Sequence, residues 1–276
     1  MQESNVEQLK KSNEICGLAM VRRVAAMLDI DPQSFSNGDI LPRSWHFFML
    51  AGQTRKSELR KDGFPGLGVP IPDLGGAAFR LERLLLGGRT VSYQGDIVIG
   101  SEIERTSFIK NIKEKTTSSG RMAIVTIQHE LRPLLDSKPA IIETQTYILL
   151  EGKKDNPILE KAKKGEINAT VQKQIIPDET LLFQYSALGF NSHKIHLDRD
   201  YARNIEGLPD LVVNGGLATI LLTEFMRLNL GLEMTEIKIK HIAPLYCNRP
   251  LTLAFEQGEI KIYDDSNEVA VEIEFE

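Results

Sequence analysis

The stretch GGLATILLTEFMRLNL, Gly215 to Leu230, decides the fold class. It is apolar on nearly every side, so the helix it predicts belongs inside a core rather than on a surface. Three strand runs follow it: Thr235 to Ile242, Leu251 to Gln257, and Glu259 to Tyr263 continuing as Glu268 to Phe275. Before it, Ala169 to Ile176 reads as a strand and Asn191 to Asp200 as a polar loop. One buried helix against several antiparallel strands is an α+β arrangement.

The first half has a similar outline. Ile15, Leu18, Val21, Val24, Ala25 and Leu28 recur at helical spacing, predicting an amphipathic helix over Ile15 to Ile30 that Pro32 closes. The run DGFPGLGVPIPDLGG, Asp62 to Gly76, is too rich in Gly and Pro for a helix and reads as a loop or lid. Strand runs follow at Arg89 to Ile97, Glu102 to Lys113, Arg121 to Glu130 and Ala140 to Leu150, and TTSSGR (116–121) between the second and third has the composition of a hairpin turn. The charged stretch EGKKDNPILEKAKKG (151–165) suggests a linker over residues 152–166, dividing a domain of residues 1–151 from one of residues 167–276. DIVIGSEIERTSF (96–108) and IAPLYCNRPLTLAF (242–255) each set a small or polar turn between a strand end and an alternating strand. With the matching element order, this favours an internal duplication.

Composition removes several classes of function. The 33 Lys and Arg against 38 Asp and Glu leave a net charge of -5, which argues against a surface for nucleic acid. Two cysteines, Cys16 and Cys247, make no disulfide framework and fit a reducing compartment, so cytoplasm is the expected location. Met1 to Ser12 lacks the order of a signal peptide, and no apolar run reaches the roughly 18 residues of a spanning helix. The histidines show no metal-ligand spacing, and no Gly-x-Gly-x-x-Gly or Walker sequence is present, so neither a metal nor a bound cofactor is expected.

The chemistry concentrates in YSALGFNSHKIHLDRDYA, Tyr185 to Ala202, where Asn191, His193 and His196 fall within six residues of a chain with five histidines. Imidazole is the side chain best suited to moving protons near neutral pH. Downstream, LPDLVVNGG (208–216) places Asn214, Gly215 and Gly216 at the start of the long helix. Helix N-termini offer free N–H groups to an oxygen that gains negative charge, and glycine permits close approach.

These two motifs resemble those of the MaoC-like hydratases, or type 2 enoyl-CoA hydratases, whose usual signature is Ser/Thr-Gly-Asp-x-Asn-Pro-x-His followed by an apolar residue, Asp and Tyr-Ala. The resemblance places His196 at the catalytic histidine, Asn191 where the usual form has its aspartate, and His193 where it has asparagine. The substituted form is similar to a branch containing mesaconyl-C4-CoA and itaconyl-CoA hydratases and 3-hydroxyacyl thioester dehydratases. Trp45, Phe47 and Phe48, the Gly/Pro run and the Gly87-Gly88 pair resemble the first half of that branch.

The resemblance implies a double hot-dog: two tandem units, each an antiparallel sheet around a central helix, with the acyl group on the first unit's side. It implies an acyl-CoA or acyl-carrier-protein substrate, and leaves a homodimer of the double unit open. His196 is expected to act as base and acid in turn and Asn191 to orient water. His193 either carries a second proton or ties down its own loop. Gly215, Gly216 and Asn214 are expected around the thioester oxygen and Tyr185 against the substrate, while Trp45 either lines an acyl tunnel or fills core. A distal carboxylate would call for an arginine, with Arg43, Arg80, Arg83 and Arg89 as candidates. The implied reaction is hydration of a short enoyl-CoA, mesaconyl-C4-CoA or itaconyl-CoA by preference. The alternatives are a fatty-acid-synthesis dehydratase, a hot-dog thioesterase, for which Glu224 lies too deep in the helix, and a thioester-binding subunit without catalysis.

Overall fold

A computed structural model describes residues 9–67, 83–117, 120–150 and 165–276. The latter part of the Gly/Pro run, Arg80, the middle of the TTSSGR turn and nearly all of the expected linker lie outside the described residues. In the first half the strands are β1 (Lys10–Ile15), β2 (Arg83–Tyr93), β3 (Glu102–Thr117), β4 (Gly120–Pro133) and β5 (Ile141–Leu150). The second half has β6 (Val171–Ile175), β7 (Glu236–His241), β8 (Leu251–Glu256), β9 (Glu259–Tyr263) and β10 (Val269–Phe275). The α-helices are α1 (Leu18–Met27), α2 (Glu179–Leu188) and α3 (Gly215–Asn229).

All ten strands join one antiparallel sheet in the order β1-β3-β4-β5-β2-β7-β10-β9-β8-β6. Read outward from the middle, each half has the same order, with its second strand at the centre and its first at the edge. The seam is β2 against β7, in register from Gly88↔Lys240 to Ser92↔Glu236. A Cβ at Gly88 would lie 2.5 Å from the Ile239 carbonyl oxygen, so this side of the Gly87-Gly88 pair must be glycine for the seam to close.

Hydrogen bonds behind the two similar turns match pair for pair. Leu41 N–H donates to Ile97 O and Val213 N–H to Leu245 O, both at 2.8 Å, while Ile99 N–H donates to Asp39 O as Cys247 N–H does to Leu211 O. Leu41 is therefore the counterpart of Val213, and Arg43 and Ser44 those of Gly215 and Gly216. Past that point the halves diverge: the second runs on through α3, whereas the first makes only a short 3₁₀ turn, Trp45–Leu50.

Every residue of α3 from Gly216 to Met226 is buried. Leu217, Ile220, Leu222 and Phe225 pack in one cluster with Ile237 and Ile239 of β7, Leu251 and Leu253 of β8 and Ile273 of β10, each such side chain contributing about 1.5–3 kcal/mol. Thr219 and Thr223 return their hydroxyls to the carbonyls of Gly215 and Ile220, so their burial leaves no donor unmet.

Three local expectations change, the first being that the strand expected over Arg89 to Ile97 is β2, Arg83–Tyr93. The helix expected over Ile15 to Ile30 begins at Leu18, because Lys10 to Ile15 pair as an edge strand with β3, a backbone interaction that side-chain periodicity does not register. Helix α2 occupies residues for which no element was anticipated, with the Asp178 carboxylate accepting Leu181 N–H at 2.8 Å as its N-cap.

Candidate active site

The histidine loop turns back from the end of α2. Asn191 N–H donates to Ser186 O at 2.8 Å, and the Asn191 side-chain oxygen accepts His193 N–H at 3.1 Å. A short 3₁₀ turn, Lys194–His196, then brings His196 inward. Its Nδ1 lies 2.7 Å from the Val212 carbonyl oxygen, and Val212 N–H donates to Ile195 O, so one residue fixes both ring and loop. A carbonyl only accepts, hence Nδ1 carries the proton and Nε2 of the neutral ring keeps its lone pair. Burial, then the neighbouring His193, push the His196 pKa down to about 3, against the Val212 bond. The two imidazoles stand perpendicular with centroids 5.5 Å apart, and burial followed by Arg60 lowers His193 to about 4.

Both histidines line a cavity of about 450 Å³ that also takes in Asn191, Tyr185, Asn214, Gly215 and Gly216. The start of α3 forms part of its wall. Asn214 is the N-cap residue, yet its side chain makes no cap bond among the described residues. Its Nδ2 instead donates to Ser186 Oγ at 3.3 Å, and Oδ1 is buried without a partner among them. The first-turn N–H groups of α3 are thus left without a side-chain acceptor. A Cβ on Gly216 would lie 1.9 Å from the Tyr185 hydroxyl, and one on Gly215 about 3.2 Å from the His241 ring. Tyr185 itself stacks on Phe47 at 4.6 Å, which steers its hydroxyl to the helix start.

Seven of the eight residues singled out in the sequence therefore share one cavity. Trp45 is the exception. It is fully buried, donates from Nε1 to Glu224 at 2.9 Å and does not line the cavity, so its ring is core and Phe47 and Leu50 of the same turn face the cavity instead. Glu224 is held by that bond and by Arg227 and is likewise absent from the cavity wall.

Of the four arginines, Arg89 reaches the cavity. Arg43 turns away, over the Tyr93 ring at 4.6 Å and 3.0 Å from Asp96. Arg89 sits 3.2 Å from Glu143, which also meets His46 Nε2 at 2.7 Å and accepts from Gln145 at 2.6 Å. Burial would raise the Glu143 carboxyl, but Arg89 and His46 outweigh it and hold the group ionised, well below the usual carboxylate range. Gln145 accepts from Tyr147, and both line the cavity along with His129, whose Nδ1 lies 2.8 Å from Ser107 Oγ. This polar row went unread in the sequence. Its signal was present: Glu143, Gln145 and Tyr147 alternate on the face that carries buried Ile141 and Leu149, where a closed core would have apolar residues.

A second unread residue is Asp62. It lines the cavity from the first half, with Oδ2 3.8 Å from His193 Nε2. The loop around it grips the histidine loop: Lys194 N–H donates to Asp62 O at 2.8 Å and Ser192 Oγ to Gly63 O at 2.6 Å. Gly63 has φ +79°, and a Cβ there would lie 2.2 Å from Ser192 O, so the contact requires glycine.

Residues 44–247 match the family model described as hydroxyacyl-thioester dehydratase type 2. The chain belongs to this family. As a type 2 hydroxyacyl-thioester dehydratase it is 31% identical over 246 residues to the mesaconyl-C(4)-CoA hydratase of Chloroflexus aurantiacus, covering 87% of this chain and 83% of that one. It is 24% identical over 220 residues to the mitochondrial hydroxyacyl-thioester dehydratase type 2 of Saccharomyces cerevisiae, covering 75% and 74%. Among solved structures, a MaoC-like dehydratase from Phytophthora capsici superposes with a TM-score of 0.65 at 12% identity, over 97% of this chain and 94% of that one. Together with the duplicated strand order, that likeness makes the architecture of this type 2 dehydratase the expected α+β double hot-dog, with the correction that among the described residues the central helix is present in the second unit and replaced in the first by the Trp45–Leu50 turn.

Proposed function

We propose that this cavity adds water across, or removes it to form, the α,β double bond of a short acyl-CoA thioester. The observation that carries the reading is that the bare Nε2-bearing ring of His196 and the uncapped start of α3 at Gly215-Gly216 line the same space. In hydration the water oxygen bonds to the β-carbon as its proton passes to His196 Nε2. The electron pair of the double bond moves onto the thioester oxygen, where the first-turn N–H groups of α3 stabilise it. Return of that pair to the α-carbon takes up one proton, so the net change is one water added. Asn191 cannot titrate near neutrality and orients water from the cavity wall, while His193 carries the second proton transfer. Tyr185 holds the substrate side of the helix start, and Asn214 offers its unpaired Oδ1 there.

The polar row beside Arg89 favours a short acyl group with a polar end over a long alkyl chain, which needs an apolar tunnel. Mesaconyl-C4-CoA and itaconyl-CoA fit that description, and the Chloroflexus aurantiacus relative bears the first name. A 3-hydroxyacyl thioester of fatty acid synthesis on CoA or acyl carrier protein is the alternative, using the same residues in reverse. Among the described residues no helix is long and apolar enough to cross a membrane. Two copies of the double unit pairing as a homodimer remains part of the proposal.

The test follows absorbance at the enoyl-thioester band with crotonyl-, mesaconyl-C4- and itaconyl-CoA while titrating free thiol. The expected result is loss of the band without thiol release, fastest with a carboxylated acyl group. Stoichiometric release of CoA would mean hydrolysis, and an unchanged band with every thioester would remove the enzyme reading.

A further inference from the structure

The site lacks an ionisable group at Asn191, the position at which the resemblance leads one to expect an aspartate, yet a carboxylate reaches the same cavity from the other half of the chain. We infer that Asp62 supplies the missing charge: acting through His193, it makes that imidazole the carrier that delivers the second proton, and so completes the site across the two halves. This rests on the hydration reading above.

The geometry sets a carboxylate beside an imidazole at ion-pair distance, longer than a hydrogen bond. Asp62 is 7% exposed, His193 is 6% exposed, and Oδ2 lies 3.8 Å from Nε2. Asp62 is held at three points, two of them on its carboxylate. Oδ1 accepts Phe64 N–H at 2.9 Å, Oδ2 meets Arg60 at 3.0 Å, and the backbone oxygen accepts Lys194 N–H. Phe64 and His196 each meet the His193 ring edge-on, with centroids 5.5 Å away. Burial, then the nearby Arg60, keep the His193 imidazole neutral at rest.

The proton then has a defined route. Water's oxygen bonds to the β-carbon and its proton goes to His196 Nε2; that proton passes to His193, whose cationic form the Asp62 carboxylate stabilises; His193 releases it to the α-carbon as the enolate pair returns. Both rings begin and end neutral, and the substrate gains one water. Asp62 does not touch substrate in this route and is a positioning residue in the manner of the acid behind a catalytic histidine.

The experiment measures kcat, KM and melting temperature for the full chain with Asp62→Asn, His193→Asn, the two combined, and Asp62→Asn combined with Asn191→Asp, on whichever enoyl-CoA the wild type hydrates. Asp62→Asn should lower kcat by about 10- to 100-fold at nearly constant KM and melting temperature. It should cause no further loss in the His193→Asn background. Asn191→Asp should restore about tenfold to Asp62→Asn by returning a carboxylate to the cavity, an effect that a purely structural Asp62 would not produce. Equal losses in both backgrounds, a loss confined to KM or melting temperature, or wild-type kcat in Asp62→Asn would overturn the inference alone. A wild type without enoyl-thioester turnover would remove both it and the hydration reading. Should Asp62→Asn not fold, Asp62→Glu decides: kcat within about tenfold of wild type supports the role of charge, and a loss as deep as that of His193→Asn overturns it.

Discussion

The two halves share a strand order and a set of paired backbone hydrogen bonds, yet they differ where a ligand would bind. In the second half the counterpart positions Gly215 and Gly216 open onto the cavity. In the first, Arg43 and Ser44 close the same place: Ser44 Oγ lies 3.0 Å from the Tyr93 hydroxyl, and Arg43 covers that ring and pairs with Asp96. The approach to the helix start differs as well, running over residues 28–42 in the first half and over the longer, histidine-bearing residues 189–214 in the second. Where α3 would continue, the first half has the short Trp45–Leu50 turn, and Phe47 and Leu50 of that turn face the cavity. A duplicated frame has kept its helix in one copy and turned the space of the other copy's helix over to the cavity wall.

That division of labour can be broken by substitution, and the largest effect is expected in the second half. His196→Ala should lower kcat by about three orders of magnitude with the fold intact, measured by steady-state hydration beside a circular dichroism melt, whereas Arg43→Ala at the closed counterpart should leave kcat within about twofold. Near-normal turnover in His196→Ala on every substrate the wild type accepts would end the assignment. Next comes Gly216→Ala, whose Cβ meets the Tyr185 hydroxyl; with the tyrosine ring stacked on Phe47 and unable to give way freely, turnover should fall by about tenfold or more.

Acid should separate the halves too. Burial holds His193 near 4 and His196 and His241 near 3 in the second half, and His129 near 4 in the first. These rings are neutral when folded and protonate near 6.5 when unfolded. The unfolded chain therefore binds more protons, and stability is full above about pH 6.5 and lost as pH falls toward 4. Each ring that stays neutral contributes a slope of about 1.4 kcal/mol per pH unit in that window. Urea unfolding between pH 7 and pH 4.5 would measure it, with His129→Gln reducing the slope by one such increment; a flat profile would contradict the neutral, buried state of these rings. The smallest effect is Trp45→Phe. Because the indole is core and Glu224 keeps its Arg227 partner, about 1 kcal/mol of stability should go while kcat stays within about twofold, and a larger kcat loss would return Trp45 to the substrate.

How much of this could be read from the chain alone follows from how local each signal is. The α3 run announces itself because eleven consecutive positions, Gly216 to Met226, are buried, and the His193-His196 pair because two rare side chains fall close together in sequence. The double hot-dog followed from element order and motif resemblance. Asp62 and Glu143 were missed for the opposite reason: each belongs to the site through a contact with a residue far away in sequence, Asp62 with His193 and Glu143 with Arg89. For Trp45 the sequence left tunnel and core both open, and the choice depends on packing that no local pattern carries: its neighbours Phe47 and Leu50 face the cavity and it does not. Helix α2 escaped because its one clear marker, the Asp178 N-cap, is a single residue.

The β2–β7 seam has a further consequence. Had the two units been separate copies, their edges would meet only as fast as concentration allowed, and any substitution would appear on both sides of the junction at once. Joined in one chain, they pair in a unimolecular step that dilution cannot reverse. A change in one unit then goes uncopied in the other, which is the freedom an asymmetric site requires.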